Sequence, residues 1–172
     1  ALNRRTENKV RQRVHWICEN VKGQKVLEVG CKQGITSILL GREGHKVIGV
    51  DNNEEEIEYA IRELQLEEDY VQQNVSFFHS NIFRISYEKR YFYTVILNEV
   101  IEQFVVPQKL LYKSWELLNV GGRIIITVPF GIRNIDQKKT FYLIDLLKLN
   151  TPYLELNKLK IIGRWICFSG CK

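Results

Sequence analysis

Methionine is absent from all 172 residues, so Ala1 is not a natural translation start, and a piece of a longer protein or a trimmed one is expected. No apolar run approaches the roughly 20 residues that a bilayer-spanning helix needs. No secretory-type leader opens the chain, and a cytoplasmic protein without a membrane span is expected. The four cysteines, Cys18, Cys31, Cys167 and Cys171, contain no zinc-type C-x-x-C pair. Cys31 lies inside a glycine turn, where a bridge fits poorly, so free thiols are expected. A strong excess of one charge is missing too: 25 basic residues stand against 20 acidic ones, a formal +5. That mild balance does not point to nucleic acid. Arg4, Arg5, Lys9, Arg11 and Arg13 gather on an N-terminal helix within residues 1–22, whose apolar face would be Val10, Val14, Ile17 and Val21. They read as a solvated basic face. No repeat, low-complexity tract or linker interrupts the sequence, and 45% hydrophobic residues over this length suit one core. Residues 1–172 are expected to form a single domain.

What is present concentrates in residues 26–51. Val26-Leu27-Glu28-Val29 reads as a buried strand, Gly30-Cys31-Lys32-Gln33-Gly34 as a tight turn into a helix, and Val47-Ile48-Gly49-Val50-Asp51 as a second strand ending in a carboxylate. Gly30 and Gly34 permit backbone that a β-carbon would obstruct. Asp51, about 20 residues after the turn, suits two ribose hydroxyls, which points to an adenosine-containing ligand. A pyrophosphate binder would carry G-x-G-x-x-G, and here the third glycine is missing. Glu28 would repel phosphate and suits a ligand bearing an ammonium and a sulfonium.

Helical spacing continues through Ile35, Ile38 and Leu39, with a stop near Gly41 to Gly44. Asn53 can cap the next helix with Glu56, over an Ile57, Ala60, Ile61, Leu64 stripe. Val75–Phe78 and Thr94–Leu97 read as strands. Pro107 opens a helix facing inward through Leu110, Leu111, Ser114, Leu117 and Leu118, and Gly121-Gly122 ends that segment. The apolar run 123–128 reads as a doubly buried strand. A helix over 141–149 and two β-rich runs, 154–162 and 164–168, complete the chain. The alternation predicts an α/β fold, a doubly wound and mostly parallel sheet, closed by an antiparallel C-terminal hairpin.

The turn resembles the first motif of the class I S-adenosylmethionine-dependent methyltransferases, an acidic residue, x, G, x, G, x, G, with Lys32 where the middle glycine usually stands. The substitution is tolerable if Lys32 points to solvent. The resemblance extends over nearly the whole chain and implies a seven-stranded, Rossmann-like sheet and S-adenosyl-L-methionine as cofactor. In an open parallel sheet the ligand lies beyond the carboxyl ends of the strands, so the implied cofactor residues are Glu28, Gly30, Cys31, Gly34, Asp51, Asn52, Asn81, Ile82 and Asn98. Of these, Asn81 would meet the adenine amino group and Ile82 would pack on the ring.

The run Asn98-Glu99-Val100-Ile101-Glu102-Gln103-Phe104 resembles the E-V-[LI]-E-H segment of small-molecule and sugar O-methyltransferases. A similar run in enzymes that methylate the 2'-hydroxyl of small RNAs binds a divalent metal, together with a later D-H-K histidine. Glu99 and Glu102 match, Gln103 replaces the first histidine, and Gln137 in Asp136-Gln137-Lys138 replaces the second. The resemblance therefore implies Glu102, Glu99 and Gln103 as the catalytic group. Mg²⁺ would be held by Glu99 and Glu102, with Gln103 and Gln137 as further oxygen donors. An amide cannot accept the acceptor's proton, which leaves Glu102 as the base. Tyr93 also departs from the family pattern. The run Thr127-Val128-Pro129-Phe130-Gly131 resembles domains of bacterial surface-polysaccharide assembly, implying a sugar, glycan or other small-molecule acceptor and an adjoining glycosyltransferase domain. Three alternatives remain: an impaired cofactor-binding module, an RNA ribose methyltransferase, and a nicotinamide-dependent oxidoreductase.

Overall fold

In a computed structural model of the protein, residues 4–129, 143–150 and 153–172 are described. Seven strands form one sheet in the order β3-β2-β1-β4-β5-β7-β6. They are β1 (Lys25–Val29), β2 (Lys46–Asp51), β3 (Val75–His79), β4 (Phe92–Asn98), β5 (Leu118–Pro129), β6 (Glu155–Ile162) and β7 (Trp165–Cys171). The first five run parallel, and β7 lies antiparallel to both β5 and β6. The expected sheet and its closing hairpin are both present, with Gly163 in the β6–β7 turn.

Side chains alternate across each strand, and the core divides accordingly. Leu27, Val95, Leu97, Ile124 and Ile126 face one way, with Leu110 and Leu111 of α5 (Pro107–Leu117) and Leu146 of α6 (Leu143–Asn150). Val26, Val47, Ile96 and Ile125 face the other way. Against them pack Ile17 of α1 (Arg4–Asn20), Ile38 of α2 (Ile35–Arg42), Ile57 of α3 (Glu54–Gln65) and Val71 of the short α4 (Asp69–Gln72). Among the described residues no helix is long and apolar enough to cross a membrane. All four cysteines are free, and burial pushes the Cys18 and Cys167 thiols up to about 12.

Several expectations need correction. The buried stripe of α1 is Arg13, Trp16, Ile17 and Asn20, so Arg13 is not part of a solvated face. Ile35 and Ile61 are exposed, and α2 instead buries Thr36, Ser37, Ile38, Leu40 and Gly41. Gly121-Gly122 does not end a segment but lies inside β5, where the register with β4 shifts between the Phe92 and Thr94 pairings. The irregularity gives the glycine at φ +70 its place in the strand. The inward face of α5 through Leu110, Leu111, Ser114 and Leu117 and the Asn53 cap, whose Oδ1 accepts from Glu56 N at 3.3 Å, are as the sequence implies, whereas Leu118 opens β5 instead of closing the helix. Residues 141 and 142 of the last expected helix lie outside the described residues.

Candidate functional site

The carboxyl ends of β1 to β4 converge on a cavity of about 260 Å³. Six of the residues expected to bind or act there line it: Gly30, Asp51, Asn52, Asn81, Ile82 and Gln103. Strand direction explains this, because each follows directly from a strand that the hydrophobic pattern had already placed. Lys32, Glu56, Val100 and Phe104 complete much of the wall.

Asp51 is fixed from both sides. Lys32 N donates to Oδ2 at 3.0 Å and Asn53 N to Oδ1 at 2.9 Å, which orients the carboxylate at the strand tip and leaves each oxygen a lone pair for a ligand. Lys32 makes its bond only by adopting φ +48, a left-handed conformation in which the family glycine would be unstrained. Its side chain is half-exposed but does not simply point to solvent as expected, because Lys32 lines the cavity and its ammonium reaches Glu99 Oε2 at 3.3 Å. Gly30 has φ +72, and a β-carbon there would lie 2.0 Å from Val100 Cγ2. Asn81 lines the cavity and its Oδ1 accepts from Phe83 N at 2.9 Å; the adenine amino group is a donor, so the expected contact would have to share this already engaged oxygen.

The remaining predicted cofactor residues support the wall from behind. Glu28 is buried below the turn, accepts from Ser37 Oγ at 2.6 Å, and burial pushes its carboxyl up to about 7. A direct contact with a ligand ammonium is not what this geometry gives: Glu28 anchors the turn to α2. Asn98 accepts from Thr127 Oγ1 at 2.7 Å and helps hold Glu28. Cys31 is buried, with its thiol pushed above the usual range by burial. At Gly34, φ +77, a β-carbon would lie 2.4 Å from Phe77 Cζ, so this glycine serves packing between α2 and the sheet rather than close approach to a ligand.

The segment after β4 carries the expected catalytic group. Glu99 sits at φ +55 and its carboxylate is enclosed. Arg13 Nη1 lies 2.7 Å from Oε2, and Trp165 Nε1 donates to Oε1 at 2.7 Å. Although burial opposes it, the charges of Arg13 and Lys32 hold Glu99 down to about 2. Glu102, in the 3-10 turn Ile101–Gln103, is buried, with Oε2 lacking a hydrogen-bond partner among the described residues. Burial raises it to about 7. Gln103 Nε2 donates to Glu99 O at 2.9 Å. These groups do not fit the implied Mg²⁺ site. Both Glu99 oxygens already have donors, and among the described residues no three His, Cys, Asp or Glu side chains gather as a metal site. Gln137 lies outside the described residues. Sequence reasoning missed Arg13 and Trp165. The one available signal was Arg13 at helical spacing with Trp16, Ile17 and Asn20.

A family model described as a methyltransferase domain matches residues 20–157. The chain belongs to this family, the S-adenosylmethionine-dependent class I methyltransferases. A ubiquinone biosynthesis O-methyltransferase of Erwinia tasmaniensis is 31% identical over 121 residues, 67% of this chain and 47% of that protein. One from Photorhabdus laumondii is 31% identical over 108 residues, 61% and 42% respectively. The methyltransferase domain thus spans about half the length of these curated relatives. Among solved structures, magnesium protoporphyrin IX methyltransferase from Synechocystis with bound S-adenosylmethionine superposes with TM-score 0.81 at 16% identity, over 100% of this chain and 85% of that one. This last likeness speaks for the fold. Family membership makes S-adenosylmethionine the cofactor of this methyltransferase domain. The cavity suits it, with an acidic strand tip that can accept from ribose hydroxyls and an apolar side chain, Ile82, that can meet an adenine face.

Proposed function

We propose that the domain transfers the methyl group of S-adenosylmethionine to an oxygen of a small-molecule acceptor. The observation that carries the reading is Asp51, held by two backbone amides at the rim of the cavity. The bound sulfonium supplies an activated methyl carbon: the new O–CH₃ bond forms as S–CH₃ breaks, and the acceptor's proton must leave. Asp51, Asn81 and Ile82 orient the adenosyl part, which places the reacting carbon and lowers the entropic part of the barrier. The names of the curated relatives favour a hydroxylated small molecule, and the resemblance at 127–131 favours a sugar hydroxyl. Both are oxygen nucleophiles that need a base.

Glu102 is that base in this reading: it is buried beside the cavity-lining Gln103 rather than in the lining itself, its Oε2 has no hydrogen-bond partner among the described residues, and a carboxyl raised to about 7 ionises in the range where a proton acceptor is useful. With an accepted substrate, kcat/KM should rise with pH through about 7, and Glu102→Gln should abolish that limb. A pH profile kept intact in Glu102→Gln would remove Glu102 from the role. Calorimetric titration tests the cofactor reading directly. S-adenosylmethionine and S-adenosylhomocysteine should bind, and NAD should not. Binding of NAD alone would replace methyl transfer with hydride transfer.

A further inference from the structure

We propose that the charge of Glu99 is met by cations of the chain itself, Arg13 and Lys32, where the family resemblance would put a divalent ion, and that Arg13 is a positioning residue of a cofactor site that works without metal. The proposal rests on the cofactor reading above. Three elements converge on one carboxylate: α1 brings the Arg13 guanidinium as an ion pair, while the glycine turn through Lys32 and β7 through Trp165 bring hydrogen-bond donors. The guanidinium also lies 4.4 Å above the Trp165 ring, so its position is fixed by stacking as well as by the ion pair. Mg²⁺ demands several oxygen ligands in near-octahedral array. At Glu99 it would have to displace an indole N–H and sit beside two positive charges.

What the cluster holds in place is the cavity wall. Glu99 keeps its left-handed backbone, its N–H donates to Thr127 O at 2.9 Å, and its carbonyl accepts from Gln103. Val100, Gln103 and Phe104 follow at once and line the cavity, as does Lys32 from the glycine turn. Arg13 reaches none of the lining but, through Glu99, ties both segments together. A strained residue at a site persists only when its surroundings over-determine it, and Arg13 supplies much of that determination from 86 positions away in sequence.

Calorimetry with S-adenosylhomocysteine and electron paramagnetic resonance of Mn²⁺ test the proposal. In the wild type, affinity should be the same with EDTA, Mg²⁺ or Mn²⁺, and the protein should leave the free Mn²⁺ signal undiminished. Arg13→Met should weaken S-adenosylhomocysteine about tenfold, because losing the ion pair leaves the Glu99 charge less well met and the wall less firmly held. Arg13→Lys should recover most of that loss, which a purely structural arginine would not predict. Should Arg13→Met fail to fold, Glu99→Gln serves, because it keeps the shape and removes the counter-charge; a similar weakening is expected. Mn²⁺ uptake by the wild type that Glu99→Gln abolishes would overturn the proposal, as would unchanged ligand affinity in both variants. If the wild type bound no S-adenosylhomocysteine, the cofactor reading would fall instead, and the Mn²⁺ measurement would still decide the metal question.

Discussion

Glu28 and Glu99 show how one residue type takes opposite character from its surroundings. Burial dominates at Glu28 and raises its carboxyl to about 7, while two cations hold Glu99 down to about 2. The consequence for stability has a definite sign. A carboxyl raised in the folded state binds more protons there than in the unfolded chain between its ordinary value of 4.5 and about 7, so stability falls as pH rises through that window. Glu28→Gln removes the penalty while keeping an acceptor for Ser37. Relative to wild type, the variant should therefore gain stability from pH 5 to pH 8, by at most on the order of 3 kcal/mol. Urea unfolding at the two pH values measures it, and an equal difference at both would show Glu28 ionised throughout. Asp51 differs from both in lining the cavity, where a ligand can meet it. Asp51→Ala should weaken adenosyl ligands by about 1–3 kcal/mol through lost charged hydrogen bonds. Unchanged affinity in calorimetry would place the ribose elsewhere.

Between β1 and α2 the turn is constrained by its neighbour across the sheet. Gly30 meets Val100 so closely that Gly30→Ala must suffer both left-handed strain, about 1–2 kcal/mol, and overpacking of about 1–3 kcal/mol. Adding Val100→Ala opens the space and should return the second part but not the first. A double-mutant cycle in urea should thus give a favourable coupling, and simple additivity would mean that the two residues do not touch. Elements of this kind were legible in the sequence because strand and helix periods are local. The stripe of α5, the Asn53 cap and the closing hairpin all follow from residues within a few positions of one another. The span of α2 was legible but its buried face was not, because a helix buried on most of its surface has no polar face to set its phase, and the prominent Ile35 proves exposed. α1 was misread because a polar side chain occupies its stripe. Arg13 finds Glu99 and Trp165 only once the sheet has formed, and no local pattern announces a partner so distant. The site followed the same division: strand ends placed Gly30, Asp51, Asn52, Asn81, Ile82 and Gln103, whereas the ion cluster behind them needed the fold.

At the scale of the molecule, two cavities of similar size lie at opposite ends of the sheet, so volume does not identify the site. One, about 260 Å³, is at the carboxyl ends; the other, about 240 Å³, is bounded by Lys25, Lys46, Asn74 and Tyr91 at the amino ends. Topology separates them. The order β3-β2-β1-β4-β5 makes the chain build outward in one direction from β1 and in the other from β4. The divergence of the crossovers opens a crevice above the carboxyl ends, between Gly30 and Val100. Hydrogen exchange can read this difference without any knowledge of the acceptor. Saturating S-adenosylhomocysteine should slow the amides of Lys32 and Asn53, which already donate to Asp51, together with Phe83, whose amide closes the Asn81 turn, and Gln103. The amides of Lys46 and Val47, hydrogen-bonded to Gln24 and Asn74 at the far end, should be unaffected. Slowing confined to that far end would move the ligand to the wrong edge of the sheet. It would also strip Asp51, Asn81 and the Arg13 cluster of their assigned roles together, because all of them depend on which end of the parallel strands the ligand meets.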